Sequence, residues 1–130
     1  MEGNMIINES RNTPEVILDT DKRYFSFKGV SYPENAQKFY KPIFDMAKNY
    51  IDKIKLKNEI TMEVDFDYFN TSTSRMLYQI FRLFNTAAQA EQMGVNIVWK
   101  YEHDDMDMKE SGKDFDVMFK NLDFSLKQKE

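Results

Sequence analysis

The stretch Ile60-Thr61-Met62-Glu63-Val64-Asp65-Phe66-Asp67-Tyr68 decides the fold. Ile60, Met62, Val64, Phe66 and Tyr68 point one way along an extended chain, and Thr61, Glu63, Asp65 and Asp67 point the other. A strict period of two describes a strand with one apolar and one wet face. Strands covered on both faces read instead as continuous apolar runs. The helices should therefore all lie on one side of the sheet, as in a two-layer sandwich.

The neighbouring segments repeat the pattern. Val95, Ile97, Trp99 and Tyr101 alternate with Asn96, Val98 and Lys100. Pro14–Asp19 and Tyr24–Lys28 read as two short strands, with Asp21 and Lys22 turning between them into a hairpin. Between the strands the period changes to that of a helix. Asn35 is placed as the N-cap of a first helix, which Pro42 kinks or restarts. Ile43, Phe44, Ala47, Tyr50, Ile51 and Ile54 carry its apolar stripe. A second helix runs from Ser72 or Ser74 to Met93, with Leu77, Ile80, Phe81, Phe84, Ala87 and Ala88 inward, and Gly94 closes it. A third spans about Asp107–Lys120, with Phe115, Met118 and Phe119 inward. The strands flanking the second helix make that unit a parallel, right-handed crossover. The reading is an α+β domain, an α/β two-layer sandwich with a four-stranded mixed sheet and three helices packed on one face. Residues 1–12 are a loose lead-in, 13–124 the domain and 125–130 a tail.

Composition limits function. The 130 residues suit one domain, and 42% hydrophobic and 15% aromatic content supports a real core. Cysteine is absent, which removes disulfides and thiolate chemistry and fits a reducing, cytoplasmic setting. The polar Met1–Asn12 segment has no signal-peptide core, and no apolar run approaches a membrane span. A net charge of −4 with interspersed signs argues against nucleic acid as partner. The basic cluster of Lys53, Lys55 and Lys57 reads as a solvated helix end. Four glycines are too few for a Gly-rich phosphate cradle. No cofactor is expected.

Three segments hold chemistry. Asn70-Thr71-Ser72-Thr73-Ser74 sets four hydroxyls where a strand ends and a helix begins. Capping explains one or two of them, because Ser and Thr satisfy the orphan N–H groups. A phosphoacceptor is the functional alternative, since phosphate there meets free N–H groups and the positive dipole end. A nucleophile is the weakest option, because the single His103 lies in another loop. Glu102-His103-Asp104-Asp105-Met106-Asp107-Met108 offers a histidine and carboxylates to a divalent metal. Its spacing matches no EF-hand, and a helix-capping loop explains it equally well. Ser31-Tyr32-Pro33-Glu34-Asn35 is a rigid turn that launches a helix and offers a binding surface.

Taken in order, Ser31-Tyr32-Pro33-Glu34-Asn35 with Phe39-Tyr40-x-Pro42, then Tyr68-Phe69-Asn70-Thr71-Ser72, then Trp99-x-Tyr101 with Asp104-Asp105-Met106-Asp107-Met108, resemble the SiaC family of bacterial regulatory phosphoproteins. The resemblance spans about residues 13–124. It implies a fold similar to the anti-sigma-factor antagonist SpoIIAA, which is STAS-like. It implies that the protein is no enzyme but the substrate of a Ser/Thr protein kinase and of a PP2C-type phosphatase. The unphosphorylated form would bind and activate an effector such as a GGDEF diguanylate cyclase, raising cyclic-di-GMP and favouring biofilm. The family's phosphoacceptor corresponds to Thr71, with Ser72 and Thr73 as secondary acceptors. Ser31, Tyr32, Pro33, Glu34, Asn35, Asn70 and Arg75 would make the partner surface. Two alternatives accompany this reading: an anti-sigma-factor-antagonist-like partner switch, and a metal-binding protein that uses the His103–Asp107 loop.

Overall fold

A computed structural model describes residues 4–53, 59–91 and 93–130. The expected helix position at Ile54, the cluster members Lys55 and Lys57, and Gln92 near the end of the second helix lie outside the described residues.

The elements follow the chain as β1 (Met5–Ile7), β2 (Glu15–Asp19), β3 (Tyr24–Ser31), α1 (Ala36–Lys53), β4 (Ile60–Phe69), α2 (Thr71–Glu91), β5 (Val95–Tyr101), α3 (Met106–Met118) and β6 (Asp123–Gln128). They build one six-stranded sheet whose spatial order, β1 to β6, is the order of the sequence. β1–β2 and β2–β3 are antiparallel, and β3–β4, β4–β5 and β5–β6 are parallel. Each parallel step crosses over through one helix and moves in the same direction. Crossovers of one hand that all step the same way place their helices on one face.

Burial follows the alternation. Ile60, Met62, Val64, Val95, Ile97 and Trp99 are at most 1% exposed, while their neighbours in sequence are partly exposed. Phe81 and Phe84 of α2 lie in the same core. Trp99 is its largest fully buried side chain, and its Nε1 donates to the Met108 carbonyl of α3 at 2.9 Å. The indole thus buries its area without stranding its one polar atom.

The sheet has six strands where four were expected. The segment read as a lead-in supplies β1, and the chain past 122, read as helix end and tail, supplies β6. β1 is three residues long, too short to show a period. β6 does alternate, with Phe124 and Leu126 packed on the core between exposed Asp123, Ser125 and Lys127.

A second correction concerns phase. Tyr68 was expected to point inward with Phe66. The β3–β4 register shifts between Gly29 and Val30, so that Gly29 pairs with Phe66 and Val30 with Tyr68. This β-bulge inserts one residue and reverses the faces beyond it. Tyr68 is consequently 53% exposed, and Phe69 turns inward to meet Phe66 and Trp99 at ring-centroid distances of 5.6 and 5.9 Å. Gly29 occupies a backbone conformation (φ +117°) that side chains with a Cβ rarely adopt.

Helix boundaries move by a few residues from those expected. α1 is continuous through Pro42, which sits on its exposed side. α3 begins at Met106 and is capped by Asp105, whose carboxylate accepts from the Met108 N–H at 3.0 Å.

Candidate functional site: the first turn of the second crossover helix

The site lies where β3 and β4 end side by side and α1 and α2 begin. Ser31 pairs with Phe69 as the last rung of the ladder, and the Asn70 N–H donates to the Ser31 carbonyl at 3.1 Å. The chain enters α2 immediately afterwards.

Asn70, rather than a Ser or Thr, caps the helix. Its Oδ1 accepts from the Thr73 N–H at 2.9 Å, and its carbonyl from the Ser74 N–H at 3.0 Å. Side-chain and main-chain oxygens of one residue thus satisfy two donors, the usual arrangement of an Asn N-cap. Asn35 does the same for α1, accepting from the Lys38 N–H at 3.0 Å. With Asn70 as cap, none of the four hydroxyls is required for that purpose.

Those hydroxyls divide sharply. Thr71 and Ser72 are exposed and Ser74 is half-buried, whereas Thr73 is 0% exposed. Thr73 Oγ1 donates to the Ser31 carbonyl at 3.1 Å and lies 2.8 Å from Ser31 Oγ. Ser31, also 0% exposed, lies 2.7 Å from the Tyr40 hydroxyl. Each hydroxyl has one proton, so the directions follow. Thr73 spends its proton on the carbonyl, Ser31 donates to Thr73, and Tyr40 donates to Ser31. Burial pushes the Tyr40 phenol well above its ordinary range, although its hydrogen-bond partners act the other way. It therefore stays neutral and remains a donor. This chain of hydroxyls ties α1, β3 and the first turn of α2 together.

The sequence-predicted partner residues separate in the same way. Tyr32, Glu34, Asn35 and Arg75 are exposed, and Asn70 is half-buried as the cap. Ser31 and Pro33 are buried, a correction to their expected place on the partner surface. Ser31 faces inward because its hydroxyl completes the Tyr40–Thr73 chain. Thr73, expected as a secondary acceptor, is shielded by the same chain. Tyr32 leans edge-on against Tyr68, with ring centroids 6.1 Å apart, so the bulge in β4 brings a second tyrosine to the exposed end of the sheet. Tyr68 was missed as a surface residue because the alternation gives no sign of the extra residue.

Thr71 stands at one end of an open groove of about 950 Å³ that follows α2 as far as Ala90, with side chains of α1 and α3 along its flanks. The 102–108 loop behaves as a cap. Asp105 is engaged with α3, and His103 is exposed. Among the described residues no three His, Asp or Glu side chains converge on a point that would hold a metal ion. Among them, too, no helix is long and apolar enough to cross a membrane.

Comparison with solved structures finds the same fold. Apo-SiaC from Pseudomonas aeruginosa superposes with a TM-score of 0.86 at 22% identity, covering 96% of this chain and 98% of that one. A second structure of SiaC of Pseudomonas aeruginosa gives 0.88 at 20% identity, covering 98% and 99%. A chain in the crystal structure of the Pseudomonas aeruginosa diguanylate cyclase SiaD in complex with its activator SiaC gives 0.88 at 21% identity, covering 96% and 99%. No curated protein sequence matches significantly. The family model described as SiaC family regulatory phosphoprotein matches residues 7–129, nearly the whole length, and the chain therefore belongs to the SiaC family of regulatory phosphoproteins.

Proposed function

We propose that this protein is a phosphorylation-controlled adaptor whose unphosphorylated form binds and activates an effector, and that Thr71 is the switch. The observation that carries this reading is the contrast between Thr71 and Thr73. Two hydroxyls in one helical turn have opposite fates, one locked in the interior and one open to another protein's active site. Asn70 takes the capping work, which frees Thr71 from a structural duty. A phosphate on Thr71 would lie at the positive end of the α2 dipole, so the domain tolerates it. It would also add about −1.5 to −2 charges at the end of the α2 groove and so change what binds there.

A Ser/Thr protein kinase would write this mark, and a PP2C-type phosphatase would erase it. The complex of SiaD with its activator SiaC supports a diguanylate cyclase as the kind of effector. The exposed rim of Tyr32, Glu34, Asn35 and Arg75, together with the α2 surface, is the contact assigned to it.

Phosphate transfer with the cognate kinase tests the acceptor. Thr71→Ala should lose the label, and Ser72→Ala and Thr73→Val should keep it. Full labelling of Thr71→Ala would reject the assignment. Effector binding should survive in Thr71→Ala and fail in Thr71→Glu.

A further inference from the structure

We infer that the groove over α2 receives one amphipathic α-helix whose polar edge carries two acidic side chains seven residues apart. This rests on the effector-binding reading above and names the chemistry of the element that docks.

Shape comes first. The groove extends from Thr71 to Ala90, which is roughly 28 Å at the rise of an α-helix. Phe44 and Ile51 of α1 form one wall, and Phe115 and Met118 of α3 form the other. Along it Tyr78 and Met118 are 41% and 50% exposed, large apolar groups left open to water. The walls are helices, whose N–H and C=O groups are already paired along their length. An extended segment laid between them would find no backbone partners. A helix brings its own backbone bonds and needs only side-chain complementarity.

Charge then selects the helix. Arg75 and Arg82 both line the groove and both are exposed. Seven residues apart, they share a face of α2 about 10 Å apart along its axis. Neither has an acidic partner among the described residues. The one carboxylate in the lining, Asp52, already faces Lys48 at 3.8 Å. Two unpaired guanidinium groups along an apolar trough, on a protein of net charge −4, are complementary to an acidic and apolar partner. Acidic residues at i and i+7 of a helix lying along α2 would match their spacing.

The position of Thr71 gives this arrangement a control. Thr71 precedes Arg75 by four residues and lies on the same side of the helix. A phosphate on Thr71 would pair with Arg75 within the helix and withdraw one of the two cations from the partner.

The test uses the full unmodified chain and two synthetic amphipathic helical peptides. The peptides are identical except for Glu or Lys at two edge positions seven residues apart. Fluorescence anisotropy should show the Glu peptide binding at least tenfold more tightly. NMR shift mapping should confine its footprint to α2 and the flanks at Ile51 and Met118. The double variant R75E/R82E should invert the preference, and Thr71→Glu should weaken the Glu peptide. Equal affinity for the two peptides, binding of neither, a footprint elsewhere, or an unchanged preference in the double variant would overturn the inference. So would self-association in sedimentation that R75E abolishes, which would give the groove to a second copy of the chain. No kinase or effector enters the experiment, so a wrong acceptor leaves the peptide result standing, and a failed peptide result leaves Thr71 labelling intact.

Discussion

Thr71 and Thr73 are two residues apart and stand roughly 200° apart around α2, a consequence of 3.6 residues per turn. One serves the surface and the other the interior. Thr73→Val keeps the shape but leaves the Ser31 carbonyl without its hydroxyl donor in a dry place. It should lower the free energy of unfolding by about 1–3 kcal/mol, read by urea denaturation. Tyr40→Phe removes the donor at the far end of the chain and should cost about 1 kcal/mol. If Thr73→Val proved neutral, the hydroxyl chain would have no structural weight. At this scale the sequence was only half legible. Four hydroxyls in a row announced a helix entry and a modification site, but Ser and Thr carry no sign of which will be buried. Ser31 sits in a turn beside exposed Tyr32 and reads as a surface residue, yet it is as buried as the core valines.

Single elements show where the period of the sequence decided the outcome and where something else did. The alternation in β4 and β5 placed the core correctly as far as Phe66, because a strand's faces are fixed by its pleat. The bulge then reversed Tyr68 and Phe69, and nothing in the composition of the strand announces an inserted residue. Sheet edges were lost for a related reason: β1 is too short to carry a pattern, and Phe124 and Leu126 had only polar company. In α3, Gly112 explains how a helix can lie directly on the central tryptophan. A Cβ there would stand 2.5 Å from Trp99 Cδ1 and 2.6 Å from Leu126 Cδ2. Gly112→Ala should destabilise by about 1–3 kcal/mol despite the better helix propensity of alanine, in a thermal or urea melt. Gain of stability would mean that α3 can lift away freely. Pro42 makes the opposite case in α1. It is exposed, so the side chain contributes little packing, and it denies the Lys38 carbonyl a donor. Pro42→Ala should therefore raise stability, by about 1 kcal/mol or more.

For the whole molecule, the decisive property is a sheet covered on one side only, as the alternation implied. The uncovered side is held by charge. Lys100 Nζ meets Glu63 at 2.6 Å, and Tyr24 donates to the same carboxylate at 2.8 Å. Lys129 reaches back across the sheet to Asp65 at 2.7 Å and Asp67 at 3.2 Å. The hydrogen bond from Lys100 holds the Glu63 carboxyl below its usual range, and the same bond raises the Lys100 ammonium. Burial alone would lower Lys129, but its bonds to Asp65 and Asp67 leave it raised. The lowered carboxyl contributes stability above its unfolded value, near 4.3, and loses it as pH falls through its folded value. The raised ammonium groups contribute below about 10.4 and lose it as pH rises through theirs. Stability from this face should thus form a plateau between about pH 5 and 10 and decline on both sides. Lys100→Met should flatten the acid limb in urea melts taken across pH, and an unchanged limb would rule the pair out as its source.

The sheet was described as lying in the order of the chain, and this bears on how the protein is made. Each strand pairs with the one before it and never awaits a later arrival. During synthesis every new segment emerging from the ribosome finds its neighbour already available. Assembly can then proceed from the N-terminal hairpin outward, one crossover at a time, with Thr71 set in place before the last third of the chain has been translated.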